Sequence, residues 1–215
     1  MNYLELVNSV LGRMREPATA TLVGETDSVI LIVKDLVNDA KRSVEDAHTW
    51  NALRAEWDFD TVANQKLYPL VGAADNANIE YIYGESGAIL RQRPLKDIKR
   101  LSAAGSSGNG SLWYAPNGRD SNGDMQIELY PVPTKVHSVT IGGFKRTPDL
   151  SADTDDLMVP SKPVIYLALA LAVRERGEVG GQTAGEIFGM ANQFLSDAIA
   201  YDASTTDVDN IWMSV

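Results

Sequence analysis

Cysteine is absent from this sequence of 215 residues. Disulfides, thiolate metal sites and cysteine nucleophiles are therefore excluded. The absence fits a reducing cytoplasm, or a particle assembled in one. Histidine occurs only at His48 and His137. Neither has a second His or a Cys at ligand spacing, so a zinc site is not expected. The phosphate-binding loop is missing too, because Gly105-Ser106-Ser107-Gly108 is not followed by Lys. There is no G-x-S-x-G elbow, and Gly84-Glu85-Ser86-Gly87, one residue short of it, reads as a turn. Positive charge is scarce: 19 Lys and Arg stand against 29 Asp and Glu, a net charge of −10. Such a surface does not coat nucleic acid, since phosphates demand cations. The longest apolar run, Val164 to Val173, is ten residues, about half of what a membrane helix needs. It reads as a buried core helix, and no membrane partner is expected. Met1 to Leu11 has no basic flank, so a signal peptide is not expected either.

Helical periodicity is plentiful at both ends of the chain. Tyr3, Leu6, Val7, Val10, Leu11 and Met14 recur at helical spacing, and Glu16-Pro17 ends that helix. A second helix starts near Asp27 or Ser28 and carries Val29, Ile32, Val33, Leu36, Val37, Ala40, Val44 and Ala47 on one face. Its mixed charges read as a solvated or subunit-facing side. Helices are expected again over 161–177 and 182–203. Between them, strands are expected at 53–60, 65–71, 78–83, 88–94, 111–115, 125–131 and 136–145, with a short helix or turn over 95–101. The stretch 102–111 is Gly/Ser-rich and reads as a loop.

This order predicts an α+β fold: an antiparallel four-helix bundle, two helices from each end, with an inserted antiparallel β-domain. The expected domains are 1–50 with 160–203 for the bundle, 51–150 for the insert, and 204–215 as an extended C-terminal arm. The joint lies in "DAHTWNALRAEWDFDT", where a helical period changes to strand alternation. Trp50, Leu53 and Trp57 stand there, and Trp50 is expected to pack where the two domains meet.

Two acidic clusters invite a metal reading. Asp120-Ser121-Asn122-Gly123-Asp124 departs from a calcium loop in its Gly position and lacks the closing Glu, and reads as a hairpin turn. Asp153, Asp155 and Asp156 precede the third long helix and are expected to meet its positive dipole end. No metal, cofactor or catalytic residue is expected. One stretch is basic, "RQRPLKDIKR", with Arg91, Arg93, Lys96, Lys99 and Arg100. It admits three readings: a solvated face, a contact with an acidic subunit neighbour, or a nucleic-acid patch without aromatic platforms.

The helix-to-Trp joint from Val44 to Leu53, the strand end "ELYPVP" (Glu128 to Pro133), and "DTDDLMVP" leading into the apolar helix (Asp153 to Val173) come in a familiar order. Over about residues 3–200 the chain resembles the head-to-tail adaptor proteins of tailed bacteriophages, also called head completion, tail tubular A-type or gatekeeper connector proteins. The resemblance implies a non-enzymatic virion part in the neck, assembled in the host cytoplasm. It implies a ring, typically of twelve subunits, beneath the portal protein. Such a ring joins capsid to tail or nozzle protein and lines a channel for genomic DNA, without sequence-specific binding. It also implies a C-terminal arm that docks on the portal. Here Asp209, Asn210, Ile211, Trp212 and Met213 would form that arm, with Trp212 as an interface anchor. An acidic chain suits a channel wall, because repulsion keeps DNA from sticking. The alternatives are another neck or tail completion protein, and an oligomeric module whose β-domain recognises a surface glycan.

Overall fold

A computed structural model of the chain describes residues 1–73, 77–84, 87–104, 107–108, 111–177 and 182–205. Two compact units result, Met1–Leu53 with Thr147–Val215, and Arg54–Arg146.

The helical unit begins with a reciprocal cap. Asn2 Oδ1 accepts from the Glu5 N–H at 2.8 Å, and Glu5 accepts from the Asn2 N–H at 3.0 Å. This starts α1 (Tyr3–Arg13). Asp27 starts α2 (Ser28–Ala47) by accepting from the Val29 N–H at 2.8 Å. A 3₁₀ turn, Asn51–Leu53, closes this half of the unit. The chain comes back at Thr147 and enters α4 (Ser161–Glu175), then α5 (Gln182–Thr205).

The β-unit holds β1 (Arg54–Asp60), β2 (Leu67–Pro69), β3 (Asn78–Tyr83), β4 (Arg91–Gln92), α3 (Leu95–Ala103) and β5 (Ser107–Gly108). It continues with β6 (Trp113–Arg119), β7 (Met125–Tyr130), β8 (Val132–Pro133) and β9 (Ser138–Phe144). One sheet has the order β1-β9-β3, the second β2-β7-β6-β4, and β5 pairs with β8. Trp57, Ile82 and Ile141 of the first sheet meet Tyr68, Tyr114, Ile127 and Leu129 of the second in one core. On the far side of the second sheet, Ile98 of α3 packs on Ala115 and Tyr130. The unit is thus three layers: sheet, sheet and helix.

These observations correct the expected architecture. The α+β class stands, but an antiparallel four-helix bundle with a purely antiparallel insert does not. Five helices and two main sheets are present among the described residues, and α3 lies within the β-unit. The pairings β4–β6 and β5–β8 are parallel. In the helical unit α4 is a hub, with α1, α2 and α5 each packed against it. The physical reason lies in its sequence. Val164, Ile165, Ala168, Leu169, Ala170, Ala172 and Val173 are all buried, and a helix apolar around its circumference must be surrounded.

The mixed-charge side of α2 is also not simply solvated. Lys41 is fully buried. Its ammonium donates to the carbonyls of Thr147 at 2.9 Å and Pro148 at 3.0 Å, and lies 3.3 Å from Glu45 Oε1. The Thr147 hydroxyl donates to the same Glu45 oxygen at 2.6 Å. One turn earlier, Asn38 Oδ1 accepts from the Leu150 N–H at 2.9 Å, and its Nδ2 donates to the Leu150 carbonyl at 3.1 Å. Lys41→Ala would leave the Glu45 charge buried without its partner. Urea unfolding should show a loss of about 3–5 kcal/mol; a loss under about 1 kcal/mol would mean that apolar packing alone seats the returning chain.

Candidate functional site

The five cations of "RQRPLKDIKR" are brought to one exposed face of the β-unit. Leu95, Ile98 and Leu101 turn one side of α3 to the sheet, which leaves Lys96, Lys99 and Arg100 on its exposed side. Arg91 and Arg93, on and just after β4, are exposed as well. The Arg93 guanidinium lies 4.5 Å from the centre of the Trp113 ring. Lys99 Nζ donates to Glu128 Oε2 at 2.5 Å, and Asn117 Nδ2 donates to the same oxygen at 2.7 Å. Glu128 is buried on β7, so Lys99 fastens α3 to the sheet. Arg91, Lys96 and Arg100 form no ion pair among the described residues. Glu128 and Asn117 are partners that sequence reasoning missed. The strand alternation gives Glu128 a face, but only the register of β6 on β7 puts Asn117 beside it.

The three residues assigned to the joint are divided between the two units. Trp50 and Leu53 belong to the core of the helical unit, and Trp57 to that of the β-unit. The Trp50 indole N–H donates to the Val44 carbonyl at 2.8 Å, and His48 stands edge-on to its ring at 5.1 Å. The Trp57 indole N–H donates to the Val71 carbonyl at 3.0 Å. Each tryptophan is thus satisfied within its own unit.

The residues assigned to the arm, Asp209, Asn210, Ile211, Trp212 and Met213, lie outside the described residues. Helix α5 reaches Thr205, beyond the expected end at 203. Near its C-terminal end Asp202 Oδ2 meets His48 Nε2 at 3.2 Å and accepts from the Asn51 N–H at 3.2 Å. This ties the end of α2 to α5. Beside the tie is an open groove of about 780 Å³, walled by Trp50, Met158, Pro163, Phe194, Ala198 and Tyr201.

The acidic clusters are turn and strap elements. Asp120 Oδ1 accepts from the N–H groups of Asn122 at 2.8 Å and Asp124 at 2.9 Å, closing a hairpin turn. Asp153 does not meet the N-terminus of α4, as expected from sequence. Its oxygens instead accept from the Thr21 hydroxyl at 2.6 Å and the Leu22 N–H at 2.8 Å. The start of α4 has Pro160 as its cap residue and no side-chain cap. Asp155 accepts from the Ser151 N–H at 2.7 Å and the Ala152 N–H at 2.8 Å. Among the described residues, no group of three or more His, Asp and Glu is placed to hold a metal. No helix among them is long and apolar enough to cross a membrane.

The helical unit interrupted by a three-layered β-unit identifies no family by itself, and the comparison with family models supplies one. The chain belongs to the SU10 adaptor protein family, whose model matches residues 1–212. A search of curated proteins found no match.

Residues 147–160, the strap that leads into α4, have a pH dependence of known sign. Backbone N–H groups, first Ser151 and then Ala152, hold the Asp155 carboxyl below its ordinary range. Its contribution is present above the ordinary carboxylate pKa, about 3.9 in an unfolded chain, and is lost as pH falls through the lowered value. Asp155→Asn should therefore flatten the acid limb of a stability-versus-pH curve and leave the neutral-to-basic limb's shape unchanged. An acid limb identical to that of the parent chain would remove Asp155 from the account.

Proposed function

We propose that this adaptor is a purely structural virion protein that forms a ring of about twelve copies beneath the portal. The ring joins the capsid to the tail and lines the channel through which the genome leaves. Family membership over residues 1–212 carries this reading. The net charge of −10 supports it, because a wall of like charge repels DNA and lets it slide. The partners are further copies of the chain, the portal protein and a tail or nozzle protein. DNA passes without being read. No catalytic step is assigned.

The part of the expected 204–215 arm that follows α5, residues 206–215, docks on the portal in this reading, with Ile211, Trp212 and Met213 as its apolar anchor. Such a block suits a protein interface, where tryptophan often dominates binding. Its root in α5 is fastened to the end of α2 through Asp202, so the arm leaves from a fixed point of the helical unit.

Light scattering of the chain with and without its portal tests the reading. A ring mass is expected with portal present. A chain that never binds portal, or that binds only a tail protein, would assign it to another position in the neck. Deleting residues 206–215 should abolish portal attachment and leave the helical circular-dichroism signal intact. Undiminished attachment would refute the role of the arm.

A further inference from the structure

The β-unit carries a second charged face, opposite the first. Because Trp57, Ile82 and Ile141 point into the core between the sheets, their strand neighbours point outward. On β1 these are Glu56, Asp58 and Asp60, all exposed. The Glu80 carboxylate reaches the same face and pairs with Arg54 at 3.1 Å. Arg54 is the one cation on this face among the described residues of β1, β9 and β3, and it also lies over the Phe144 ring at 5.0 Å. Asp58 accepts from the Thr140 hydroxyl at 2.6 Å. Beside these groups Tyr81 and Tyr83 place their rings 4.9 Å apart. Tyr81 lies flat against the strand because Gly142 has no side chain: a Cβ there would sit 2.0 Å from Tyr81 Cζ. This face therefore offers four carboxylates and two tyrosine rings, both suited to guanidinium and ammonium groups.

The cationic face on α3 and β4 lies on the other side of the same three layers. Arg91, Lys96 and Arg100 have no ionic partner among the described residues. Asp97, half-exposed on α3, is the one carboxylate among residues 91–100. Lys99 is engaged with Glu128.

We propose that the α3 face of one copy docks on the outer face of the β1-β9-β3 sheet of the next copy. The partner is a second copy of this chain, and charge complementarity selects it. Because two different faces meet, the contact is heterologous. It repeats from copy to copy, and closes into a ring when the rotation per copy closes. The carboxylates on β1 then serve twice: on an edge strand they also discourage unregulated strand pairing. This inference rests on the ring reading and supplies its contact.

A charge exchange on the full chain tests it. One variant carries Lys96→Glu and Arg100→Glu, the other Glu56→Lys and Asp58→Lys. All four positions are exposed, so thermal unfolding should stay near that of the parent chain. Each variant alone, with portal present, should associate at least roughly tenfold more weakly than the parent chain. Mixed in equal amounts they should assemble again, because each reversed face then meets its complement. Assembly of either variant at parental strength overturns the contact and leaves the ring reading standing. Failure of the mixture to recover overturns it as well, since the cations then serve another partner. A parent chain that stays monomeric with portal removes the ring reading and this contact together. Should a reversed variant not fold, Lys96→Gln with Arg100→Gln replaces it. That variant should weaken assembly and flatten its dependence on salt; an unchanged salt dependence counts against the proposal.

Discussion

A lysine with no exposed surface governs how this chain closes on itself. An ammonium group has three N–H donors and no acceptor. At Lys41 they face Glu45 and the carbonyls of Thr147 and Pro148. Taking such a charge out of water costs several kcal/mol, so an incomplete set of partners would not be stable. Apolar contact is non-directional and could seat the returning segment in several registers. The Lys41 set allows one. Asn38 repeats the constraint at Leu150, and Asp153 repeats it at Thr21 and Leu22. By the time the chain reaches α4, its path over α1 and α2 is specified.

The position of α4 follows. It arrives with no polar side of any width, and the seated strap delivers it between α1, α2 and, later, α5. A tilted pair of aromatic rings, Tyr166 and Phe194 at 4.8 Å, marks its contact with α5. The β-unit is organised by a different device, the alternation of sides along each strand. Trp57 faces inward while Glu56 and Asp58 face outward, and Glu128 faces α3 while Ile127 and Leu129 face the inter-sheet core. Strand alternation thus makes both the core and the acidic face, while helical spacing on α3 makes the cationic one.

For an adaptor this division of labour has a physical meaning. Surfaces that meet partners at fixed positions need rigid elements beneath them. The cationic face stands on a helix fastened by Lys99 to a buried carboxylate. The acidic face stands on a sheet whose central strand is closely covered: a Cβ at Gly143 would sit 2.2 Å from the Asn78 carbonyl oxygen. The C-terminal end of α5 is tied to the end of α2 through Asp202.

Much was legible in the residues alone. Periodicity marks the long helices, because an amphipathic stripe is a local property of 3.6-residue spacing. Alternation marks β1, β3, β7 and β9, and the family is recognisable from the order of the helix-to-Trp joint, "ELYPVP" and "DTDDLMVP". The clustering of five cations within ten residues is likewise written in the chain. What the residues could not decide depends on partners far away in sequence. A lysine at a mixed-charge helical position reads as solvated until a segment more than a hundred residues later covers it. Asp153 reads as a helix-end charge until Leu22 appears beside it. A helix with apolar residues on every side signals burial, yet whether it is one of four equals or the hub of the unit depends on what packs around it. Side-chain chemistry and spacing are therefore set by the sequence itself, whereas the pairing of buried polar groups, the packing order of the helices and the separation of charge onto opposite faces arise only when distant segments meet.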